Sequence, residues 1–216
     1  MKNVTRLSKP SSLIKNANTW RDELMAAIAT YGNIKKVPDK FFDKYNKPDI
    51  KETLKKMYNG VCCYCEVRVG IAEFGNIEHC KPKRIFPRTT YDWDNLNLAC
   101  TACNEMKGNK YSNKYPILDA VVDNPISIHL KYDYGELGVI YEEKTYRGET
   151  TIKHADLNRR ELRVARALIF LKALKLKKKM NRNSRNPKLN SIRRELSIMC
   201  EEAFGSVINY VMTMNI

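Results

Sequence analysis

The chain has 216 residues, 43% hydrophobic and 29% charged, with 39 Lys and Arg against 24 Asp and Glu for a formal net charge of +15. That length suits one domain, or a core with appended lobes, and can bury a core without covalent staples. The longest apolar run, Leu24 to Ala29, falls far short of the ~18 residues a membrane span needs. The opening stretch lacks the apolar region of a secretory leader, so a cytoplasmic protein is expected. The positive charge favours a polyanionic partner, nucleic acid ahead of an anionic membrane surface, with a generic basic surface as the plain alternative.

In chain order, Trp20, Leu24, Ala27, Ile28 and Tyr31 recur at helical spacing over 16–31, and Gly32 stops that helix. Residues 38–48 hold two prolines and read as a connector. Asp49 is expected to N-cap a short helix carrying Ile50, Leu54 and Met57. From 61 to about 115, cysteines and short apolar pieces replace helical periodicity. Ser127 to Tyr132 and Val139 to Glu143 flank Tyr134-Gly135 and predict a β-hairpin. Asn158 and Glu161 resemble a capping box opening a helix to about Met180, with Leu162, Ala165, Leu168, Ile169 and Leu176 on its apolar stripe. Residues 181–190 read as a loop, and one last helix is expected over about 190–212. The fold class is therefore α+β, with a helical segment at 1–60, a core at 61–115, and a hairpin plus basic helices at 116–216.

Seven cysteines, an odd number, argue against a disulfide framework, and six lie between 62 and 103. Cys62 with Cys65 and Cys100 with Cys103 are two C-x2-C pairs. Each short turn can point two thiolates at one ion, so the four predict a structural Zn²⁺ site. Buried free thiols are the plainer alternative. Cys63 and Cys80 are spare thiols that could substitute as ligands, and Cys200 reads as core.

Thirty-four residues separate Cys65 from Cys100, so something folds between the knuckles. That segment holds Glu78-His79, Asn95 and, just past the second knuckle, Asn104. His79 to Asn95 is 16 positions and Asn95 to Asn104 is 9. The order resembles the His-Asn-His/Asn motif of the HNH endonucleases, whose core is a ββα-metal finger. Phosphodiester hydrolysis needs a base, a metal and cations near the phosphate. A neutral imidazole suits the base, so His79 takes that role. Glu78 and Asn104 offer hard oxygens, which suit Mg²⁺ or Mn²⁺. The resemblance implies that Asn95 holds the loop presenting His79. Lys81, Lys83, Arg84 and Lys107 are placed for phosphate contact. Glu78 and Asn104 depart from the commonest residues of that motif, and Gly108 stands where some members carry a further His. His129 and His154 lack ligand-spaced neighbours and read as structural.

The strings YCE, IEHCKPK, YDWDNLNLACTACN, PILDAVVDNP, HLKYDYGELG and TIKHADLNRRELRVAR narrow this further. They look like the PtuB-like HNH nucleases of retrons and of the Septu anti-phage system. That resemblance implies a defence effector working with a PtuA-like ATPase, in a complex that includes retron reverse transcriptase and its DNA. It also implies nucleic acid as substrate, DNA ahead of RNA. Between Arg159 and Arg194 stand 14 Lys or Arg and one acid, Glu161. Lys175, Lys177, Lys178 and Lys179 suit a non-specific phosphate track, with a solvated face as the plain alternative. Two other functions stay open: a non-catalytic zinc-knuckle binder of nucleic acid, and an adaptor subunit.

Overall fold

A computed structural model describes residues 1–70, 75–136, 138–182 and 189–215. Seven helices and four strands are defined within them: α1 (Ser11–Tyr31), α2 (Pro48–Met57), β1 (Asn76–His79), β2 (Leu96–Ala99), α3 (Thr101–Lys107), β3 (Leu130–Gly135), β4 (Gly138–Glu143), α4 (Tyr146–His154), α5 (Arg160–Arg182), α6 (Leu189–Glu201) and α7 (Gly205–Thr213). Among the described residues no helix is long and apolar enough to cross a membrane.

The core of the site is β1, β2 and α3. β1 and β2 pair antiparallel, with Asn76 opposite Ala99 and His79 opposite Leu96. Leu96, Leu98 and Ala99 are buried, so this short strand has no solvated face. Cys100 then caps α3, its sulfur accepting from the Cys103 N–H at 3.5 Å. The result is a two-strand, one-helix finger, the ββα unit of the expected α+β fold.

The N-terminal segment is laced onto this finger. Arg6 donates to the Leu96 carbonyl at 2.6 Å and lies over the Trp93 ring, whose indole N–H donates to the Leu7 carbonyl at 2.8 Å. α1 begins at Ser11, earlier than its periodicity shows, because Pro10 fixes the turn into it. Gly32 closes it in the left-handed region (φ 63°). Asp49 is not the cap of α2. Lys47 holds that position with Pro48 as the first helical residue. The Asp49 carboxylate instead accepts from the Ser12 N–H (2.9 Å) and hydroxyl (2.8 Å), tying the two helix starts together.

β3 and β4 form the expected hairpin, with Leu130 opposite Glu143. The helix α4 that follows was not legible in the sequence, and His154 is its last residue. Asn158 does not cap α5. Its side chain accepts from the Tyr141 N–H (2.8 Å) and donates to the Tyr141 carbonyl (2.7 Å), docking the start of α5 on β4. Leu168 faces outward at 65% exposure, while Leu162, Phe170, Ala173 and Leu176 carry the buried stripe. The expected loop at 181–190 falls largely on 183–188, outside the described residues.

The expected single last helix is two, α6 and α7. Phe204 adopts the left-handed region (φ 60°), and Gly205 sits where any Cβ would collide with the Cys200 carbonyl. Their junction docks on the first knuckle: Phe204 N–H donates to the Glu66 carbonyl at 3.2 Å, and Ser206 N–H to the Glu66 carboxylate at 2.9 Å. One buried cluster runs through all these parts.

Candidate active site and metal centre

The four cysteines of the two C-x2-C pairs converge. The sulfurs of Cys62, Cys65, Cys100 and Cys103 all lie within 4.8 Å of one another, and all four residues are buried. The first knuckle is a tight turn: Cys62 N–H donates to the Val67 carbonyl at 2.9 Å and Glu66 N–H to the Cys62 carbonyl at 3.0 Å. Four sulfur donors this close together suit Zn²⁺. Without an ion the four thiols share their hydrogens: Cys100 is held low by its neighbours, Cys103 foremost, while Cys62, pushed chiefly by burial, and Cys65 and Cys103, pushed chiefly by Cys100, are held high. Arg159 donates to the Cys103 sulfur at 3.5 Å, a cation outside the cluster that sequence reasoning missed. Cys63 and Cys80 are not among the four clustered sulfurs, although the Cys63 thiol neighbours that of Cys62. Cys63 N–H pairs with the Leu98 carbonyl at 2.7 Å, and the Cys80 sulfur contacts Asn97 (2.9 Å) and Asp119 (3.4 Å).

His79 ends β1. Its Nε2 lies 2.9 Å from the Thr90 carbonyl oxygen. A carbonyl only accepts, so Nε2 carries the hydrogen and Nδ1 keeps its lone pair. The ring is buried, and burial lowers its pKa to about 3. The imidazole is therefore neutral at pH 7. Tyr45 packs edge-on to it, ring centres 4.7 Å apart.

Asn95 clips the loop between His79 and Thr90. Its side-chain oxygen accepts from the Lys81 N–H at 2.8 Å. Its amide donates to the carbonyls of Lys81 (3.0 Å) and Thr89 (3.1 Å). That loop carries Thr90, so the carbonyl that fixes His79 is itself fixed.

Glu78 precedes His79 and is buried, with its carboxyl pushed upward by burial against the pull of Lys107. Lys107 Nζ lies 2.6 Å from Glu78 Oε1, and Tyr64 donates to the same oxygen at 3.2 Å. Asn104 is half-buried on α3, the helix that packs against β1. A carboxylate and an amide oxygen are hard donors, so the pair fits Mg²⁺ or Mn²⁺ by donor chemistry.

Two of the cations expected to meet phosphate are buried and paired within the chain. Lys107 has no exposure, and its ammonium is spent on Glu78 and on the His79 carbonyl at 2.7 Å. Lys177 is buried and donates to the carbonyls of Val211 (3.0 Å), Met212 (2.8 Å) and Met214, capping the end of α7. Lys83 pairs with Asp43 at 2.6 Å, and Arg84 lies on the Phe42 ring and pairs with Asp39, so both anchor the connector before α2. Lys81, Lys175, Lys178 and Lys179 are exposed.

Residues 62–110 match the HNH endonuclease family. The chain carries an HNH domain over these residues. It is 35% identical over 149 residues to Septu protein PtuB of Bacillus thuringiensis, covering 68% of this chain and 56% of that protein. It is 33% identical over 168 residues to Septu protein PtuB of Bacillus mycoides (strain KBAB4), covering 63% of this chain and 56% of that protein. The chain thus matches little more than half the length of these relatives. The HNH domain spans both knuckles, β1, β2 and α3, so the four-cysteine cluster and His79 belong to one unit.

Proposed function

We propose that the chain is a metal-dependent HNH endonuclease that hydrolyses phosphodiester bonds, DNA ahead of RNA. The observation that carries this reading is the Nε2–H of His79 held on the Thr90 carbonyl at 2.9 Å. It leaves Nδ1 of a neutral imidazole as the base. Nδ1 takes the proton of a water whose oxygen attacks phosphorus, and the bond from phosphorus to the leaving oxygen breaks. Asn95 keeps the loop, and hence the tautomer, in place. Glu78 and Asn104 would hold Mg²⁺ or Mn²⁺, which when bound offsets charge on the phosphate and leaving oxygen. Lys81, Lys175, Lys178 and Lys179 supply exposed cations for the backbone. Cys62, Cys65, Cys100 and Cys103 would hold Zn²⁺ as a structural ion through their clustered sulfurs.

The whole-chain role we propose is that of an effector in anti-phage defence, acting in the cytoplasm beside a PtuA-like ATPase. The Septu names of the relatives support that association over one with retron components. Strand cutting by the purified chain, alone or with such an ATPase, lost on His79→Ala and on metal removal, tests the catalytic part. Co-purification with the ATPase tests the partner.

A further inference from the structure

Lys107 closes α3 with its side chain wholly out of water. Its ammonium lies 2.6 Å from Glu78 Oε1 and donates to the His79 carbonyl at 2.7 Å. A buried ammonium is stable only when paired, so this contact is fixed rather than incidental. The consequence concerns the divalent ion, and it rests on the functional reading above. The carboxylate assigned to that ion already neutralises one positive charge. Asn104 adds an oxygen but no charge. A divalent cation at Glu78 therefore meets repulsion from an ammonium that cannot swing into solvent. A phosphodiester brings the negative charge that the pair lacks.

We propose that Lys107 is a positioning residue that couples metal uptake to substrate: the Glu78 site holds Mg²⁺ or Mn²⁺ weakly by itself and firmly only with a phosphate present. The ion and the nucleic acid then enter together, and the site stays empty of divalent ion in the absence of substrate.

The test is Mn²⁺ binding followed by the electron paramagnetic resonance of free Mn²⁺, on zinc-loaded protein at pH 8. All samples carry His79→Ala so that a short DNA duplex stays intact. Glu78→Gln in that background, with duplex, gives the Mn²⁺ held by DNA alone. The expected result is Mn²⁺ affinity at least about tenfold higher with duplex than without. Lys107→Met is expected to raise the affinity without duplex by at least about tenfold. Lys107→Gln, which keeps a donor for the His79 carbonyl, carries the same expectation should Lys107→Met fold poorly. Equal affinity with and without duplex overturns the coupling. No gain in either Lys107 variant overturns the role of Lys107. Mn²⁺ uptake unchanged by Glu78→Gln removes the metal from Glu78, and with it the functional reading's metal site.

Discussion

The Thr90 carbonyl oxygen stands 2.9 Å from His79 Nε2, and Asn95 holds the loop that brings it there through the carbonyl of the preceding residue, Thr89, at 3.1 Å. His79, its tautomer and the Asn95 clamp thus form one chain of hydrogen bonds within the HNH domain. A buried histidine with only a structural task could use the same bond, so substitutions at each link distinguish the two.

Asn95→Ala removes a side chain that satisfies three backbone groups at once. Leaving buried backbone groups unsatisfied costs about 1–3 kcal/mol. The expected outcome is a fold that survives with a lower urea midpoint, and cutting reduced far more than DNA binding. Equal losses in cutting and binding would make Asn95 a stability residue alone.

The neutrality of His79 has a pH signature. Its folded pKa is about 3 and its ordinary value 6.5, so below 6.5 the unfolded chain binds the extra proton first. Stability from this group is complete above pH 6.5 and is lost as pH falls toward 3. The slope is about 1.4 kcal/mol per pH unit well inside that window. Urea unfolding of wild type and His79→Asn between pH 6.5 and 4.5 checks this. The wild type is expected to lose more stability by that slope, and parallel curves would contradict the buried neutral ring.

Cys65→Ser and Cys103→Ser each remove one of four clustered thiols. A structural zinc of this kind contributes roughly 10 kcal/mol or more of apparent folding energy. The expected outcome is zinc loss by metal analysis together with loss of the cooperative unfolding transition. Cys63→Ser, outside the cluster, is expected to keep the zinc.

The lysines of α5 divide by burial. Lys175, Lys178 and Lys179 are exposed, whereas Lys177 caps α7. The triple change of the exposed three to Ala is expected to weaken DNA binding and to lower the slope of log affinity against log salt by about 2–3. Lys177→Met is expected to cost about 1–3 kcal/mol of stability and leave that slope unchanged. Fluorescence anisotropy across a salt series, beside denaturant unfolding, separates the two.

Local strings made much of the site legible. C-x2-C spacing dictates how two thiols can meet an ion, and Cys62, Cys65, Cys100 and Cys103 do cluster. The hairpin and α1 followed from periodicity and turn residues. What stayed hidden depended on distant partners. Lys107 and Lys177 read as surface cations because burial of a lysine is decided by acceptors far along the chain, Glu78 and the end of α7. Asn158 had the look of a cap, but Tyr141 of β4 claims its side chain. The α6–α7 break interrupts a pattern that stays apolar through Phe204, and only the left-handed turn there reveals it. Tyr64 and Arg159 lie within the quoted strings and Tyr45 outside them, but no string shows what a residue touches, and their contacts with Glu78, Cys103 and His79 come from tertiary packing.

The central claim is that His79 cuts phosphodiester bonds with help from a divalent ion. The most direct measurement incubates zinc-loaded wild type and His79→Ala with plasmid DNA and with total tRNA, in Mg²⁺, in Mn²⁺ and in EDTA, with and without the co-expressed ATPase. The account predicts cutting by wild type alone, absent in EDTA, with His79→Ala binding nucleic acid normally but leaving it whole. Cutting that persists in His79→Ala, or no strand scission by wild type with any substrate, metal or partner, would contradict it.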